Sequence, residues 1–108
     1  MVSMSDDADR KTGGQVLERT KPKVQKPQLF KVLLHNDDYT TMQFVIEVLE
    51  EIFNKSPADA FRIMMHVHTR GHGVCGSYPY EVAETKVQMV HDRANANGFP
   101  LKASMEEA

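Results

Sequence analysis

The chain has 108 residues, 41% of them hydrophobic and 26% charged, with a net charge of −2; these values predict one globular domain with its own core. The single cysteine excludes an internal disulfide and favours a reducing, cytoplasmic location. The sequence contains no apolar run long enough for a membrane span and no signal-peptide core near its N-terminus, so we expect neither a membrane anchor nor export.

The charges are unevenly distributed along the chain. Residues 1–27 carry six basic and four acidic side chains, whereas residues 28–108 carry seven basic and eleven acidic ones. A nucleic acid would require a clustered basic face on the folded part of the chain. The acidic balance of residues 28–108 therefore argues against a nucleic-acid partner and is better suited to a cationic ligand.

Residues 1–27 have few apolar side chains, so little burial is available there to offset the loss of chain entropy on folding. We predict that this segment is a disordered N-terminal extension and that residues 28–108 form the folded domain. The extension could be a solubilising tail or a flexible arm that a partner grasps, and composition does not distinguish these two roles.

The folded part begins with a strand. Phe30, Val32 and Leu34 alternate with Lys31 in a run of strand-forming residues that ends near His35. The polar sequence Asn36-Asp37-Asp38 follows, and short polar side chains of this kind favour turns because they compete for backbone hydrogen bonds.

A helix is predicted directly after this turn. Thr40 and Gln43 have the spacing of a capping box, in which Thr40 would be the N-cap. Glutamates occupy one side of the helix, and the apolar side chains that would face the core are Phe44, Val45, Val48, Leu49, Ile52 and Phe53.

The second helix has clear start and stop signals. Ser56 and Pro57 are typical of the N-cap and first helical position, and Gly71 is typical of a left-handed helix end. The apolar stripe predicted for this helix contains Ala60, Phe61, Met64, Val67 and His68.

The remaining pattern predicts a short strand over Val74 to Tyr78, a third helix after Pro79 and a last strand over Phe99 to Met105. The third helix would end at Asn97-Gly98, and its apolar positions are Ala83, Val87, Val90 and Ala94. The element order β-α-α-β-α-β predicts a small α+β sandwich in which a three-stranded antiparallel sheet packs against three helices.

Enzyme and metal motifs are absent from the sequence. His66 and His68 are two residues apart, which places them on different faces of a helix. Cys75 lies within a predicted strand, where a thiol usually packs as a small hydrophobic group. The sequence has no zinc-binding motif, phosphate loop or nucleophile elbow. We therefore predict a protein that is not an enzyme and that needs no metal or other cofactor.

The turn after the first strand has the chemistry of a binding site for an amine. Asn36 and Asp37 supply oxygen acceptors, and a neutral His68 at the edge of the second helix's stripe would supply an acceptor nitrogen. A primary ammonium has three donors, so three converging acceptors would complement it. On residue types alone, an alternative stays open in which Asn36 and Asp37 only shape the turn and His68 fills the core.

The string FKVLLHNDDYTTMQFVIEVLEEIF, followed by IMMHVHTRGHGVCG and EVAETKVQMV, resembles the ClpS adaptor family of the N-degron (N-end rule) pathway. The resemblance covers about residues 28–105. It implies an adaptor that binds bulky hydrophobic N-terminal residues (Phe, Tyr, Trp or Leu) and delivers the substrate protein to the ClpA unfoldase of the ClpAP protease.

Carried onto this chain, the resemblance implies three groups of functional residues. The ligands of the substrate's α-amino group would be Asn36, Asp37 and His68. The pocket for the hydrophobic side chain would contain Met42, as a gate against β-branched residues, together with Thr40, Met64, Val67 and Leu101. The surface that docks on the N-terminal domain of ClpA would contain Glu81, Glu84 and Lys86, and the extension 1–27 would engage the unfoldase during delivery.

Two positions depart from the family pattern. Thr41 replaces a common proline next to the gate, and Pro79 stands where a threonine N-cap is usual.

The alternative function is a ribosome-associated or other protein-interaction domain of similar α+β shape, which would not depend on the N-terminal residue of its ligand. A small hydrolase is a third possibility, which a zinc or magnesium requirement for any activity would support.

Overall fold

The computed structural model describes residues 26–108. Its elements follow the predicted order: β1 (Leu29–His35), α1 (Met42–Glu51), α2 (Pro57–Arg70), β2 (His72–Pro79), α3 (Tyr80–Ala96) and β3 (Lys102–Glu107). The predicted α+β sandwich is therefore confirmed. The predicted disordered extension, 1–27, lies outside the described residues except for its last two positions.

The sheet is antiparallel and has the strand order β2-β1-β3, so the first strand is central. The β1–β2 ladder contains an irregularity, because Val32 pairs with Gly76 whereas the next residue, Leu33, pairs with Val74. Cys75 is the extra residue on β2, as in a β-bulge. Its side chain is only 1% exposed and belongs to the hydrophobic core.

One face of the sheet packs against the helices to form this core. The predicted apolar face of α1 is confirmed, because all six of its side chains are buried. In α3 the predicted positions are buried or half-buried. The largest fully buried side chains are Leu34, Leu49, Ile52, Val32, Val48, Val90 and Cys75.

The start and end of α2 are as predicted, but two positions of its apolar stripe, Phe61 and His68, are wrong because both side chains are exposed. Ser56 caps the helix by accepting a hydrogen bond from the Asp59 backbone N–H, and Gly71 ends it with a φ of 93°. Phe61 is 56% exposed, however, and Ile63 is buried in its place. The core-facing positions of α2 are Ala60, Ile63, Met64 and Val67, which share one face at helical spacing.

The last strand begins three residues later than predicted, because residues 98–99 complete the end of α3. The Gly98 and Phe99 N–H groups donate to the Asn95 and Ala94 carbonyls at 3.2 and 2.9 Å, and Gly98 has a φ of 75°. These bonds form a Schellman motif. Pro100 has no N–H group to offer a sheet, so the β1–β3 ladder begins at Lys102.

Candidate functional site

The turn that follows β1 is attached to the end of α2. The Asn36 backbone N–H donates to the Gly71 carbonyl at 2.8 Å, and the Gly71 N–H donates to the Val67 carbonyl at 2.9 Å. These bonds bring the turn, which contains Asn36 and Asp37, next to the last turn of α2, which contains His68. Two segments that are distant in sequence thus meet at one edge of the sheet.

The Asp37 carboxylate organises this turn. Its Oδ1 accepts from the Tyr39 and Thr40 backbone N–H groups at 2.8 and 2.7 Å, and its Oδ2 accepts from the Thr40 hydroxyl at 2.7 Å. A carboxylate offers about four acceptor positions, so one position on Oδ2 remains for a ligand. Burial alone would raise the pKa of Asp37, but the hydrogen bonds from Thr40 and Tyr39 outweigh it and hold the pKa below the ordinary value of an aspartate.

The predicted N-cap of α1 is wrong by one residue. The Thr40 hydroxyl donates to Asp37, and Thr41 is the N-cap, with its Oγ1 accepting from the Phe44 N–H at 3.1 Å. The threonine that departs from the family's proline therefore caps the helix. Met42 is the first residue of α1 and remains 44% exposed.

The turn, the start of α1 and the end of α2 enclose a cavity of about 270 Å³. Its lining combines oxygen- and nitrogen-bearing side chains with apolar ones: Asn36, Asp37, Asp38, Thr40, Met42, Val45, Met64, Val67 and His68. The structure thus brings together every residue predicted for the α-amino group and the hydrophobic pocket except Leu101.

Leu101 belongs to the same hydrophobic core as the floor of this cavity but is not part of its lining. It is 3% exposed and lines a different cavity, between the C-terminal half of α3 and the start of β3, with Gln88, His91 and Asn95 among its neighbours. Two other residues, Asp38 and Val45, line the candidate pocket but were missing from the prediction. Val45 carried a signal, since it lies one helical turn after Met42; for Asp38 the only signal is its place beside Asp37.

The cavity has a polar mouth and an apolar floor. Val45, Met64 and Val67 are at most 7% exposed and form the floor. Within residues 26–108, no hydrogen bond to another side chain or backbone group engages the Asn36 carboxamide or the His68 imidazole. Their acceptor atoms are therefore available beside the remaining acceptor position of Asp37, and the arrangement can bind a group that joins a cation to an apolar side chain.

The residues predicted to dock on an unfoldase lie on α3. Glu81 and Glu84 are exposed, but Lys86 is half-buried and donates through Nζ to the Ile52 carbonyl at 2.6 Å. Lys86 also lines a shallow cavity of about 330 Å³, together with Glu81, Val82, Thr85 and Met89. Glu84 lies outside this lining. The bond from Lys86 thus holds α3 against the end of α1, and only part of the Lys86 side chain is accessible to a partner.

Within residues 26–108, no group of three or more histidine, cysteine, aspartate and glutamate side chains is arranged to hold a metal ion. The described helices also include none with both the length and the apolar character that crossing a membrane requires.

The matching family model and the related proteins all point to the same family. The family model described as ATP-dependent Clp protease adaptor protein ClpS matches residues 25–104. The chain is 60% identical to the ClpS adapter protein of Desulfatibacillum aliphaticivorans over 93 residues, which cover 86% of this chain and 89% of that protein. It is 56% identical to the ClpS adapter protein of Caulobacter vibrioides, over 93% of this chain and 98% of that protein.

A solved structure also resembles the described fold. ClpS2 of Agrobacterium tumefaciens, bound to L-phenylalaninamide, superposes with a TM-score of 0.74 and 38% sequence identity, over 77% of this chain and 100% of that chain.

Proposed function

The chain belongs to the ClpS family of Clp protease adaptor proteins, and we propose that it binds the N-terminal residue of substrate proteins when that residue is bulky and hydrophobic. The free α-amino group binds at Asn36, Asp37 and His68. The side chain enters the apolar cavity past Met42. The main support for this proposal is that one cavity combines a mouth lined by hydrogen-bond acceptors with an apolar floor.

The chemistry of this cavity explains why both parts of an N-terminal residue are needed. A hydrogen bond between charged groups contributes about 1.5–3 kcal/mol, and burying a Leu- or Phe-sized side chain contributes about as much. Acetylation of the terminus removes the charge and most of the donors. A small first residue removes the burial. Either change is therefore expected to abolish useful affinity.

The ligand of the related ClpS2 structure supports the same chemistry. L-phenylalaninamide has a free α-amino group and an aromatic side chain, and its amide replaces the first peptide bond of a polypeptide. The residues of this chain that would contact the amine are the ones that line the cavity's mouth, with Asp38 as an additional acidic neighbour.

We further propose that the protein acts in the cytoplasm as an adaptor without catalytic activity and delivers its substrates to the ClpA unfoldase of ClpAP. The docking surface would comprise Glu81, Glu84 and the exposed part of Lys86, beside the exposed apolar side chains of Val82 and Met89. The extension 1–27 would be engaged by the unfoldase during delivery.

Fluorescence anisotropy with a set of labelled peptides tests the binding part of the proposal. Peptides with free N-terminal Phe or Leu should bind, whereas peptides that begin with Ser, and the acetylated Phe peptide, should not. Equal affinity for all of them would contradict N-terminal recognition and favour the alternative of a protein-interaction domain that ignores the first residue.

The delivery part requires a second assay. Degradation of a Phe-initiated protein by ClpAP should accelerate when the chain is added, and Glu81→Lys should reduce this effect while leaving peptide affinity unchanged. If the Glu81→Lys and Glu84→Lys variants deliver substrate as well as the wild type, the proposed docking surface is wrong.

A further inference from the structure

Two histidines lie side by side on the face of the sheet opposite the helices. In β1, Val32 and Leu34 are fully buried and point towards the helices. Because side chains alternate along a strand, His35 points to the opposite face. His72 is the Cα partner of His35 in the β1–β2 ladder and is exposed. Directly paired residues share a face of the sheet, so the two imidazoles are neighbours.

The rings of this histidine pair are close enough to bind one metal ion between them. Their centroids lie 6.4 Å apart, and their planes differ by 34°. A metal–nitrogen bond of about 2.0–2.1 Å places the ion about 3.2 Å from each ring centre. The ring centres are then about 5 Å apart in a tetrahedral site and about 6.4 Å apart when the nitrogens lie on opposite sides of the ion. Rotation of the exposed His72 side chain brings the rings into the closer arrangement.

Ser104 holds one of the two rings in place. Its Oγ lies 2.6 Å from the Nε2 of His35. When the Nε2–H donates to this hydroxyl, the lone pair of the ring is on Nδ1, which is then the atom that binds a metal. Metal-binding histidines usually have such a partner on the second nitrogen, because it fixes the tautomer and the orientation of the ring. His72 makes no hydrogen bond through its side chain within residues 26–108.

The surroundings of the pair limit how tightly it binds a cation. Lys102 pairs with His35 on the β3 side, and its exposed ammonium repels a positive ion. The described residues contain no group of three or more candidate ligands, so the pair alone supplies the protein ligands. Water completes the coordination, as it does at metal sites with open positions.

We propose that His35 and His72 form a two-ligand site for a divalent transition-metal ion such as Ni²⁺, Cu²⁺ or Zn²⁺. Imidazole suits these ions, whereas Mg²⁺ prefers oxygen ligands. The ion cross-links the end of β1 to the start of β2, next to the bond from the Asn36 N–H to the Gly71 carbonyl. A bound ion therefore stabilises the folded chain, because the unfolded chain does not hold the two rings together. This inference does not depend on the proposed function.

Calorimetric titration of the full-length chain with Ni²⁺, in a buffer that does not bind metals, tests the site. The pH is kept at about 7.5 so that unpaired histidines are mostly neutral. We expect saturable binding to the wild type, at least about tenfold weaker binding to the His72→Gln variant, and no binding of Mg²⁺ at the same concentrations. Equal affinity of His72→Gln and the wild type, or no binding of Ni²⁺ to the wild type, would overturn the proposal.

The matched control is His66→Gln, which removes an exposed histidine close to the site in space. Gly73 pairs with the buried Leu34, and a Cβ at Gly73 would lie 3.4 Å from the Cδ2 of His66. His66 is therefore on the helix side of the sheet, opposite the pair. This variant should bind Ni²⁺ as the wild type does. Equal losses in His66→Gln and His72→Gln would show that the ion does not bind at the proposed pair.

Urea unfolding separates the loss of a ligand from the loss of the fold. Without metal, His72→Gln should unfold at the same urea concentration as the wild type, because its side chain is exposed and makes no hydrogen bond within the described part of the chain. Ni²⁺ should raise the unfolding midpoint of the wild type and of His66→Gln but not that of His72→Gln. An increase of the same size in all three proteins would contradict binding at the histidine pair.

Discussion

Replacing Asp37 by asparagine should separate the two roles of this residue. The carboxylate holds the turn through three hydrogen bonds and also faces the proposed amine site. An asparagine Oδ1 can still accept from the Tyr39 and Thr40 N–H groups, and its Nδ2 can donate to the Thr40 hydroxyl. Asp37→Asn therefore keeps the turn and removes only the charge, whereas Asp37→Ala removes all three bonds.

The two roles differ in expected magnitude. The loss of one charge-assisted bond to an ammonium, about 1.5–3 kcal/mol, weakens the affinity for a Phe peptide by about 10- to 150-fold. Because Asp37 is half-buried, we expect the lower part of this range. The free energy of unfolding at neutral pH should fall by less than about 1 kcal/mol, since the backbone bonds of the turn remain.

Acid should reduce the difference in stability. The pKa of Asp37 in the folded state lies below its value in the unfolded chain, so the carboxylate stabilises the fold at pH values above the unfolded-state pKa, and this stabilisation is lost as the pH falls through the folded-state pKa. The unfolding free energies of the wild type and Asp37→Asn should therefore converge on acidification.

The assay combines anisotropy titration with urea unfolding, and Asp38→Asn serves as the control. Asp38 lines the same cavity but accepts no hydrogen bond within residues 26–108, so the turn does not hold its carboxylate in place. We therefore expect Asp38→Asn to weaken peptide binding less than Asp37→Asn does. If Asp37→Asn folds normally and binds within twofold of the wild type, Asp37 does not pair with the amine.

Three further predictions concern the scaffold. Burial raises the pKa of the Cys75 thiol to about 12, so iodoacetamide at pH 8 should leave it unmodified until urea unfolds the chain; rapid labelling of the folded protein would contradict its burial. A Cβ at Gly76 would overlap the Tyr78 hydroxyl and ring, so Gly76→Ala should destabilise the fold by about 1–3 kcal/mol, and much less in a Tyr78→Ala background, as urea unfolding would measure. Lys86→Met removes the hydrogen bond to the Ile52 carbonyl and an ammonium that lies 5.4 Å from the Tyr78 ring centre. Urea unfolding should therefore show a free energy of unfolding lower by about 1–2 kcal/mol. An unchanged urea midpoint would show that Lys86 does not stabilise the fold.

Local signals predicted most of the fold. The Ser56-Pro57 start and the Gly71 end of α2 each rest on the chemistry of a few adjacent residues, and both are confirmed. The apolar face of α1 was also predictable, because its side chains repeat at helical spacing. Phe61 shows the limit of this approach, since an apolar residue at the edge of a stripe can be exposed while its neighbour Ile63 faces the core.

The candidate site depended on information that local patterns do not contain. Thr40 and Thr41 are equivalent N-cap candidates until the Asp37 carboxylate engages the Thr40 hydroxyl. The bond from Asn36 to the Gly71 carbonyl joins segments 35 residues apart, and no local pattern predicts it. Residue types offered His68 as a partner of the turn only as one of two alternatives, and the family resemblance favoured that one.

Leu101 and the last strand show a related limit. The strand begins late because the Gly98 and Phe99 N–H groups close the end of α3, and this depends on a left-handed backbone at Gly98. Leu101 therefore precedes the ladder and lines the cavity beside α3.

Calorimetric titration with L-phenylalaninamide and with its N-acetyl derivative tests the central claim most directly. Both ligands carry the same side chain, and they differ only in the amine that Asn36, Asp37 and His68 are proposed to bind. We predict saturable binding of one molecule of L-phenylalaninamide per chain and no detectable binding of the acetylated compound. Comparable heats and affinities for both ligands would contradict recognition of the free amino group at this cavity.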